Sequence, residues 1–277
     1  MRIVVAGASG FVGRRLCPAL EQAGHEVVAM TRRPESYRGA GTAVRADVQD
    51  AAGLAVALDG AEAATTFARA AADAGLKRIV YLGGLGDDAD DLSSHLRSRR
   101  EVERLLAGGG VPVTTLRAGI IVGHGGISWE MTRQLVEHLP AMITPRWVRT
   151  RTQPIGISDV VRYLVGVLEA PVEGSRAFDI GGPDVLEYVE MMRRVAAIEG
   201  RTMIVVPVPL LTPRLSSRWL SLVTDVDVQT GRNLIDSMSN EVVVRDDSIR
   251  ELVPFEPMDY DDSVLQALGE RAKAARR

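Results

Sequence analysis

The stretch Ile3-Val4-Val5-Ala6-Gly7-Ala8-Ser9-Gly10-Phe11-Val12-Gly13 decides how this chain is read. A β-branched run, Ile3–Ala6, leads straight into a GxxGxxG turn, and a helical stretch from Phe11 to Ala23 follows. Gly7 permits the tight strand-to-helix turn, Gly10 lets the backbone approach a diphosphate, and Gly13 lets helix and strand pack closely. Free amides at the helix N-terminus then face an anion. The spacing alone is a weak signal; its place between the first strand and a helix is the context that makes it a dinucleotide site. On this reading Gly7, Ser9, Gly10, Phe11, Val12 and Gly13 hold the cofactor. The competing reading is a merely structural glycine turn. Pro18 falls inside the helical stretch and predicts local irregularity there.

Working outward, strand-like and helical runs alternate. His25–Met30 and Ala43–Ala46 read as strands, Leu54–Leu58 and Glu62–Ala74 as helices, Arg78–Leu82 as a buried strand, Glu101–Ala107 as helix and Val113–Leu116 as strand. Strands separated by helices indicate right-handed βαβ crossovers and a parallel sheet covered on both faces. The expected fold is therefore α/β, a Rossmann doubly wound parallel sheet with a smaller C-terminal substrate lobe. Residues 1–122 would form the nucleotide-binding core and 123–277 an interleaved lobe that returns elements to it. In that second part Trp129–Leu139, Val160–Leu168 with Ser158 as N-cap, Glu187–Ala197 and Ser263–Leu268 read as helices. Phe178–Ile180, Met203–Val208 and Glu241–Val244 read as strands.

One segment breaks the alternation. After Leu54–Leu58 and the stop Asp59-Gly60, the sequence begins a second helix at once, where an alternating fold needs a strand. Either the sheet has lost a strand here, or residues are omitted between Gly60 and Ala61. A continuous peptide places their Cα atoms ~3.8 Å apart.

The end of the second strand speaks to the nucleotide. A carboxylate ~20 residues beyond the glycine turn would bind the ribose 2′-hydroxyl of NAD. The sequence instead reads Thr31-Arg32-Arg33-Pro34, with no acid before Glu35. A guanidinium clamps a phosphate at two points, so Arg32, with Arg33 beside it, points to NADP(H) rather than NAD. Solvated surface charge is the plainer alternative. Asp47 and Val48 follow the third strand, where the carboxylate could reach the adenine or cap the next helix. Leu82 and Gly83 end the strand on the nicotinamide side.

Composition narrows the class. Hydrophobic residues at 46% and charged residues at 25% exclude a disordered or collagen-like chain. A net charge of −3 and a pI near 5.9 give no case for nucleic-acid binding. The single Cys17 excludes an internal disulfide, and His25, His95, His124 and His138 lack metal-ligand spacing, so no metal is expected. No apolar run reaches the ~18 residues of a transmembrane helix. The N-terminal run Met1–Val5 reads as strand rather than targeting segment. A cytoplasmic protein with a small-molecule substrate is the expectation; the oligomeric state does not follow from the sequence.

These pieces together resemble the atypical short-chain dehydrogenase/reductases of the NmrA-like and extended-like kind, over most of the chain. Besides the glycine turn, the resemblance rests on Leu116-Arg117-Ala118-Gly119-Ile120-Ile121-Val122-Gly123, Ile157-Ser158-Asp159-Val160 and Phe178-Asp179-Ile180-Gly181-Gly182-Pro183. More narrowly, His95-Leu96-Arg97-Ser98-Arg99 and the segment Pro145–Thr152 look like a bacterial subgroup of uncharacterised NAD(P)-binding proteins. Members of that subgroup often carry a further C-terminal domain. In them a strand ending in an apolar run follows the position of Gly60. The resemblance implies an oxidoreductase that binds NAD(P).

The chain departs from such enzymes in its chemistry. They use a Tyr-x-x-x-Lys pair, whereas Tyr37, Tyr81, Tyr163, Tyr188 and Tyr260 are followed four residues on by Gly41, Leu85, Val167, Met192 and Val264. Only Lys77 and Lys273 exist as lysines, and Gly83-Gly84 replaces the usual serine. The nearest substitute is His95-x-x-x-Arg99, two residues that share a helical face. His95 would serve as general acid and Arg99 would hold the ribose hydroxyls. Without an orienting partner, His95 reads equally as a helix-start residue and Arg99 as surface charge.

Substrate-facing candidates are His124 in the loop Gly123–Gly126, Trp129 at the next helix start, and Arg146 with Trp147 in a proline-bounded basic loop. Cation–π contact with an anionic or aromatic substrate would suit the last two; pairing with acids is the alternative. Leu211, Leu215, Trp219 and Leu222 recur at helical spacing, a core stripe or a peripheral lipid or quinone contact. The readings that remain are an NADP(H)-dependent reductase of a small carbonyl, imine or quinone-like compound, a catalytically silent NADP(H) sensor or assembly factor, and a nucleotide-sugar epimerase. The last is disfavoured by the missing pair.

Overall fold

The computed structural model describes residues 1–45, 61–144, 146–207 and 238–276. In the first part, strands β1 (Arg2–Ala6), β2 (Glu26–Thr31) and β3 (Thr42–Arg45) enclose helix α1 (Gly13–Gln22). Helix α2 (Ala61–Asp73), strand β4 (Ile79–Gly84), helix α3 (Ser94–Ala107) and strand β5 (Val113–Ala118) follow. The short strand β6 (Ile121–Val122) leads to helix α4 (Ile127–His138) and strand β7 (Ala141–Thr144). Strands β8 (Arg151–Thr152) and β9 (Ile155–Gly156) precede helix α5 (Ile157–Glu169). Then come β10 (Arg176–Ile180), β11 (Leu186–Glu187), α6 (Tyr188–Ile198), β12 (Ile204–Pro207), α7 (Ile249–Leu252) and α8 (Tyr260–Ala275).

All the long pairings are parallel, in the order β3-β2-β1 and, separately, β4-β5-β10. This is a Rossmann-type α/β fold. Among the described residues no strand pairs with the free edges of β1 and β4, so the sheet comes as two three-stranded halves. Helix α5 ties them together. Its Val165 and Leu168 pack with Val5, Leu20 and Val27 of the first half, while Val160, Leu164 and Val167 pack with Leu116, Phe178 and the partly buried Val80 and Leu82 of the second. Arg78 closes the end of the same helix by donating to the carbonyls of Val167, Ala170 and Val172 at 2.8, 3.0 and 3.1 Å. A cation there complements the helix dipole and satisfies terminal carbonyls.

The second lobe has its own core, in which Trp129, Met131, Leu135, Met142, Met191, Met192, Val195 and Val264 are buried. Its pairs are β7 with β12 and β6 with β9, both parallel, and β8 with β11, antiparallel. Strand β10 lies beyond this lobe's first elements in sequence yet returns to pair with β5.

Several boundaries differ from the sequence reading for identifiable reasons. Helix α1 starts at Gly13, because Gly10 through Val12 form the turn. It continues through Pro18 to Gln22. Helix α3 begins seven residues before Glu101, capped by Ser93, whose side chain accepts from the Leu96 amide. Gly156, not Ser158, is the N-cap of α5; Ser158 lies inside the helix and accepts from Gln266 at 2.6 Å. Of Glu241–Val244, a bridge between Val242 and Thr152 forms in place of a strand. Leu54–Leu58, the junction at Gly60 and the stripe Leu211, Leu215, Trp219 and Leu222 lie outside the described residues.

Candidate functional site

The turn after β1 is shaped by its glycines. Gly7 has φ of +75°, a left-handed conformation that side chains disfavour. The Gly10 amide donates to the Gly7 carbonyl at 2.9 Å. A Cβ on Gly13 would lie 2.2 Å from that same oxygen and 2.7 Å from Ala8 Cα. Helix α1 has neither a side-chain cap nor an acid in its first turn. Its positive end is thus left for an anion from outside the chain, in the arrangement that receives a dinucleotide diphosphate. These residues fit the cofactor that the motif implies.

Beside the turn opens a cleft of about 540 Å³ lined by Ser9, Arg14, Thr31, Arg32, Arg33, Ser36, Tyr37, Arg38 and Gly39. Among the described residues no carboxylate lines it. Glu35, the nearest acid, turns to Arg45 at 3.0 Å. Arg38 is anchored on the carbonyls of Glu35 and Tyr37 at 2.8 and 2.9 Å. Arg14, Arg32 and Arg33 meet no acidic side chain among the described residues. Thr31 is buried at the strand end, where its hydroxyl accepts from the Arg33 amide at 3.3 Å. Tyr37, whose phenol donates to Ala40 at 2.7 Å, closes the floor over the buried Cys17. The structure thus joins Ser9 to Thr31, Arg32 and Arg33, and adds Arg14 and Arg38. The adjacency of Arg14 to Gly13 was a usable signal for the first; nothing in the sequence marked the second. Asp47 and Val48 lie outside the described residues.

Leu82 and Gly83 end β4, and α3 crosses close above them. A Cβ on Gly84 would lie 2.9 Å from Leu96 and 3.7 Å from Arg99. Arg99 therefore sits above the strand end and is exposed, and His95, one turn earlier on α3, is half-buried. Burial, then the charge of Arg99, pull the His95 imidazole below its ordinary value.

His124 is placed differently. Its loop folds over Phe11: a Cβ on Gly123 or Gly126 would come within 3.1 or 2.7 Å of the ring. Arg15 pins the two together by donating to the carbonyls of Phe11 and His124, both at 2.9 Å, while also meeting Glu270. His124 Nδ1 lies 3.2 Å from Glu130 Oε1. Burial alone would raise the Glu130 carboxyl, but the Gly125 amide at 2.9 Å and Arg133 at 2.9 Å outweigh it and hold the group below its usual range. Trp129 lies inside the second-lobe core at 1% exposure. Arg146 and Trp147 belong to a short 3₁₀ turn, Arg146–Arg149, held down by the fully buried Val148.

With this geometry in view, comparison with known proteins is consistent. Residues 3–84 match the model of the NAD dependent epimerase/dehydratase family. The chain is 30% identical over 230 residues to uncharacterised proteins of Mycobacterium tuberculosis and Mycobacterium bovis, over 76% of its own length and 25% of theirs. It spans a quarter of the length of these curated relatives. Among solved structures, MoeE5 in complex with UDP-glucuronic acid and NAD matches with a TM-score of 0.73 at 18% identity, over 99% of this chain and 100% of that one. UDP-glucose 4-epimerase of Thermotoga maritima, with UDP-glucose, gives 0.71 at 13% identity, over 99% and 100%. A nucleoside-diphosphate-sugar epimerase from Staphylococcus aureus gives 0.73 at 14%, over 96% and 100%. Such identities carry the fold alone.

Fold and glycine turn together define a Rossmann-type NAD(P)-binding protein. The match to the NAD dependent epimerase/dehydratase family model is confined to residues 3–84. Among the described residues no helix is long and apolar enough to cross a membrane.

Proposed function

We propose that this chain is an NADP(H)-dependent reductase of a small carbonyl, imine or quinone-like compound. The observation that carries the reading is the cleft at the end of β2, lined by Arg14, Arg32 and Arg33 with no acidic partner among the described residues, and by Arg38, which is held in place. Unpaired guanidinium groups repel one another in the absence of a ligand, and a 2′-phosphate on the adenosine ribose would satisfy them. NAD, which lacks that phosphate, would leave them unsatisfied.

The bound cofactor supplies a hydride. The chain's own residues bind and orient. Amides of the glycine turn receive the diphosphate, Arg32 with Arg14 takes the 2′-phosphate, and Arg99 approaches the ribose hydroxyls. His95 faces the same region, but an imidazole held neutral by burial and by Arg99 is a poor proton source near pH 7. The epimerase reading of the structural relatives meets the absence of any Tyr-x-x-x-Lys pair in this sequence.

Calorimetric titration tests the cofactor assignment. NADPH should bind more tightly than NADH, and Arg32→Ala should narrow the gap; equal affinities, or an unchanged gap in the variant, refute it. A second reading, the silent NADP(H) sensor, is favoured by Gly83-Gly84 standing where a hydroxyl donor would be expected. Tight NADPH binding with no oxidation across carbonyl and quinone panels would select it.

A further inference from the structure

The reductase reading leaves the proton without a source, and the structure offers one at a residue that the sequence places only near the substrate. All four histidines lie in described segments. His25 sits at the opposite end of the sheet, against the Met1 amine and Glu169. His138 ends α4. His95 has burial and a nearby cation, both of which disfavour its charged form. His124 has an ionised carboxylate at hydrogen-bond distance, and its loop is fastened to the glycine turn through Phe11 and Arg15.

The position suits the reacting half of a dinucleotide. In a doubly wound sheet the adenosine lies over the β2 end and the diphosphate over the α1 N-terminus, so the other half extends toward the strands beyond β1. β6 belongs to that side, and His124 stands two residues past its end. Its side chain is 33% exposed, enough for the ring to meet a ligand and to exchange protons with water. Glu130 engages Nδ1, which leaves Nε2 as the nitrogen that meets a ligand. A purely structural role would not require this contact. The Gly125 amide and Arg133 already satisfy Glu130, and Arg15 already holds the His124 backbone.

We propose that His124, with Glu130 as its positioning residue, donates the proton to the substrate oxygen beside the glycine turn. This rests on the reductase reading above. In the balanced step, the carbonyl carbon gains the hydride of a bound NADPH, which is left as NADP⁺, while the π pair of the C=O bond moves onto oxygen. That oxygen takes the Nε2 proton. His124 is left neutral and regains a proton from water.

The test uses the full chain with ¹⁵N-labelled histidine, titrated with NADPH and NADP⁺ while binding heat is followed in parallel. The His124 Nε2 resonance, assigned by its loss in His124→Asn, should move and saturate together with the heat. In Glu130→Gln the free ring should drift toward a mixture of tautomers. Saturating heat with a stationary His124 signal overturns this proposal alone; no heat overturns the cofactor reading and this one with it. With 9,10-phenanthrenequinone or an aromatic aldehyde as acceptor, His124→Asn should slow NADPH oxidation about 100-fold at unchanged NADPH affinity. An unchanged rate, or a wild-type protein that binds NADPH and oxidises none, overturns the donor role.

Discussion

Glu103 on α3 and Arg117 on β5 grip each other at two points, Nε to Oε2 at 3.1 Å and Nη2 to Oε1 at 2.7 Å. Arg100 adds a third contact to Glu103 at 3.1 Å and reaches the Gly86 carbonyl at 2.9 Å. The pair fastens the helix bearing His95 and Arg99 to the end of the second half-sheet, and both side chains are less than one-fifth exposed. Glu103→Gln keeps the shape but removes the carboxylate that Arg117 and Arg100 share, leaving both partly buried guanidinium groups with Asp88, 2.5 Å from Arg100 and 3.8 Å from Arg117. We expect a loss of roughly 2 kcal/mol, below the value for fully buried pairs, read from urea midpoints. An unchanged midpoint would mean that Asp88 and water together replace the lost charge.

Gly13 and Gly10 separate folding from binding. Alanine at 13 drives its Cβ to 2.2 Å from the Gly7 carbonyl and into Ala8 backbone, neither of which can rotate away. Gly13→Ala should lower stability by about 3 kcal/mol, in the upper range for overpacking, and abolish cofactor binding with it. Alanine at 10 meets only the Gly7 oxygen, at 3.1 Å. Gly10→Ala should keep its melting temperature close to the wild-type value while losing most of its NADPH affinity, because the methyl group stands where the diphosphate approaches. A Gly10→Ala protein that binds NADPH normally would remove the turn from the site.

His95 gives a pH dependence with a definite sign. Its folded-state value is lowered, by burial and then by Arg99, so the unfolded chain binds the proton first as pH falls. The residue's contribution to folding is therefore complete above its ordinary value of ~6.5 and is lost as pH falls from there through the lower folded-state value. NMR titration should place the His95 midpoint below the ordinary value of ~6.5, with Arg99→Ala returning part of the difference. A midpoint at the ordinary value in both proteins would show that the ring is fully hydrated.

The glycine turn and the strand ends beside it could be read in the sequence because backbone geometry there demands particular residues. Only glycine tolerates the contacts at Gly13, and Thr31-Arg32-Arg33 follows a strand whose apolar run is plain. Arg38 escaped notice because chain folding after β2, not residue spacing, swings it into the cleft. The Glu130 clamp on His124 escaped for a similar reason: an acid in a helix's first turn is ordinary, and only the loop's path over Phe11 makes it specific. Helix α3 was read seven residues short because Ser94–Arg100 is polar, and its Ser93 cap acts through backbone geometry that composition does not reveal.

The interrupted alternation near residue 60 carries the last consequence. β1 pairs with β2 alone among the described residues, and Val4 in its middle is 44% exposed, although the first strand of a doubly wound sheet ordinarily sits at the centre, buried on both faces. β5, flanked by β4 and β10, is buried along nearly all its length. In a parallel strand successive amides point to opposite neighbours, so alternate amides of β1 face away from β2. Hydrogen exchange resolved to single amides should therefore show β1 alternating between protected and fast-exchanging positions, while β5 is protected throughout. Adding NADPH should slow β1 exchange only at the end next to Gly7. Uniform protection of β1 equal to that of β5 would mean that its second edge is paired after all, and that the sheet has no seam.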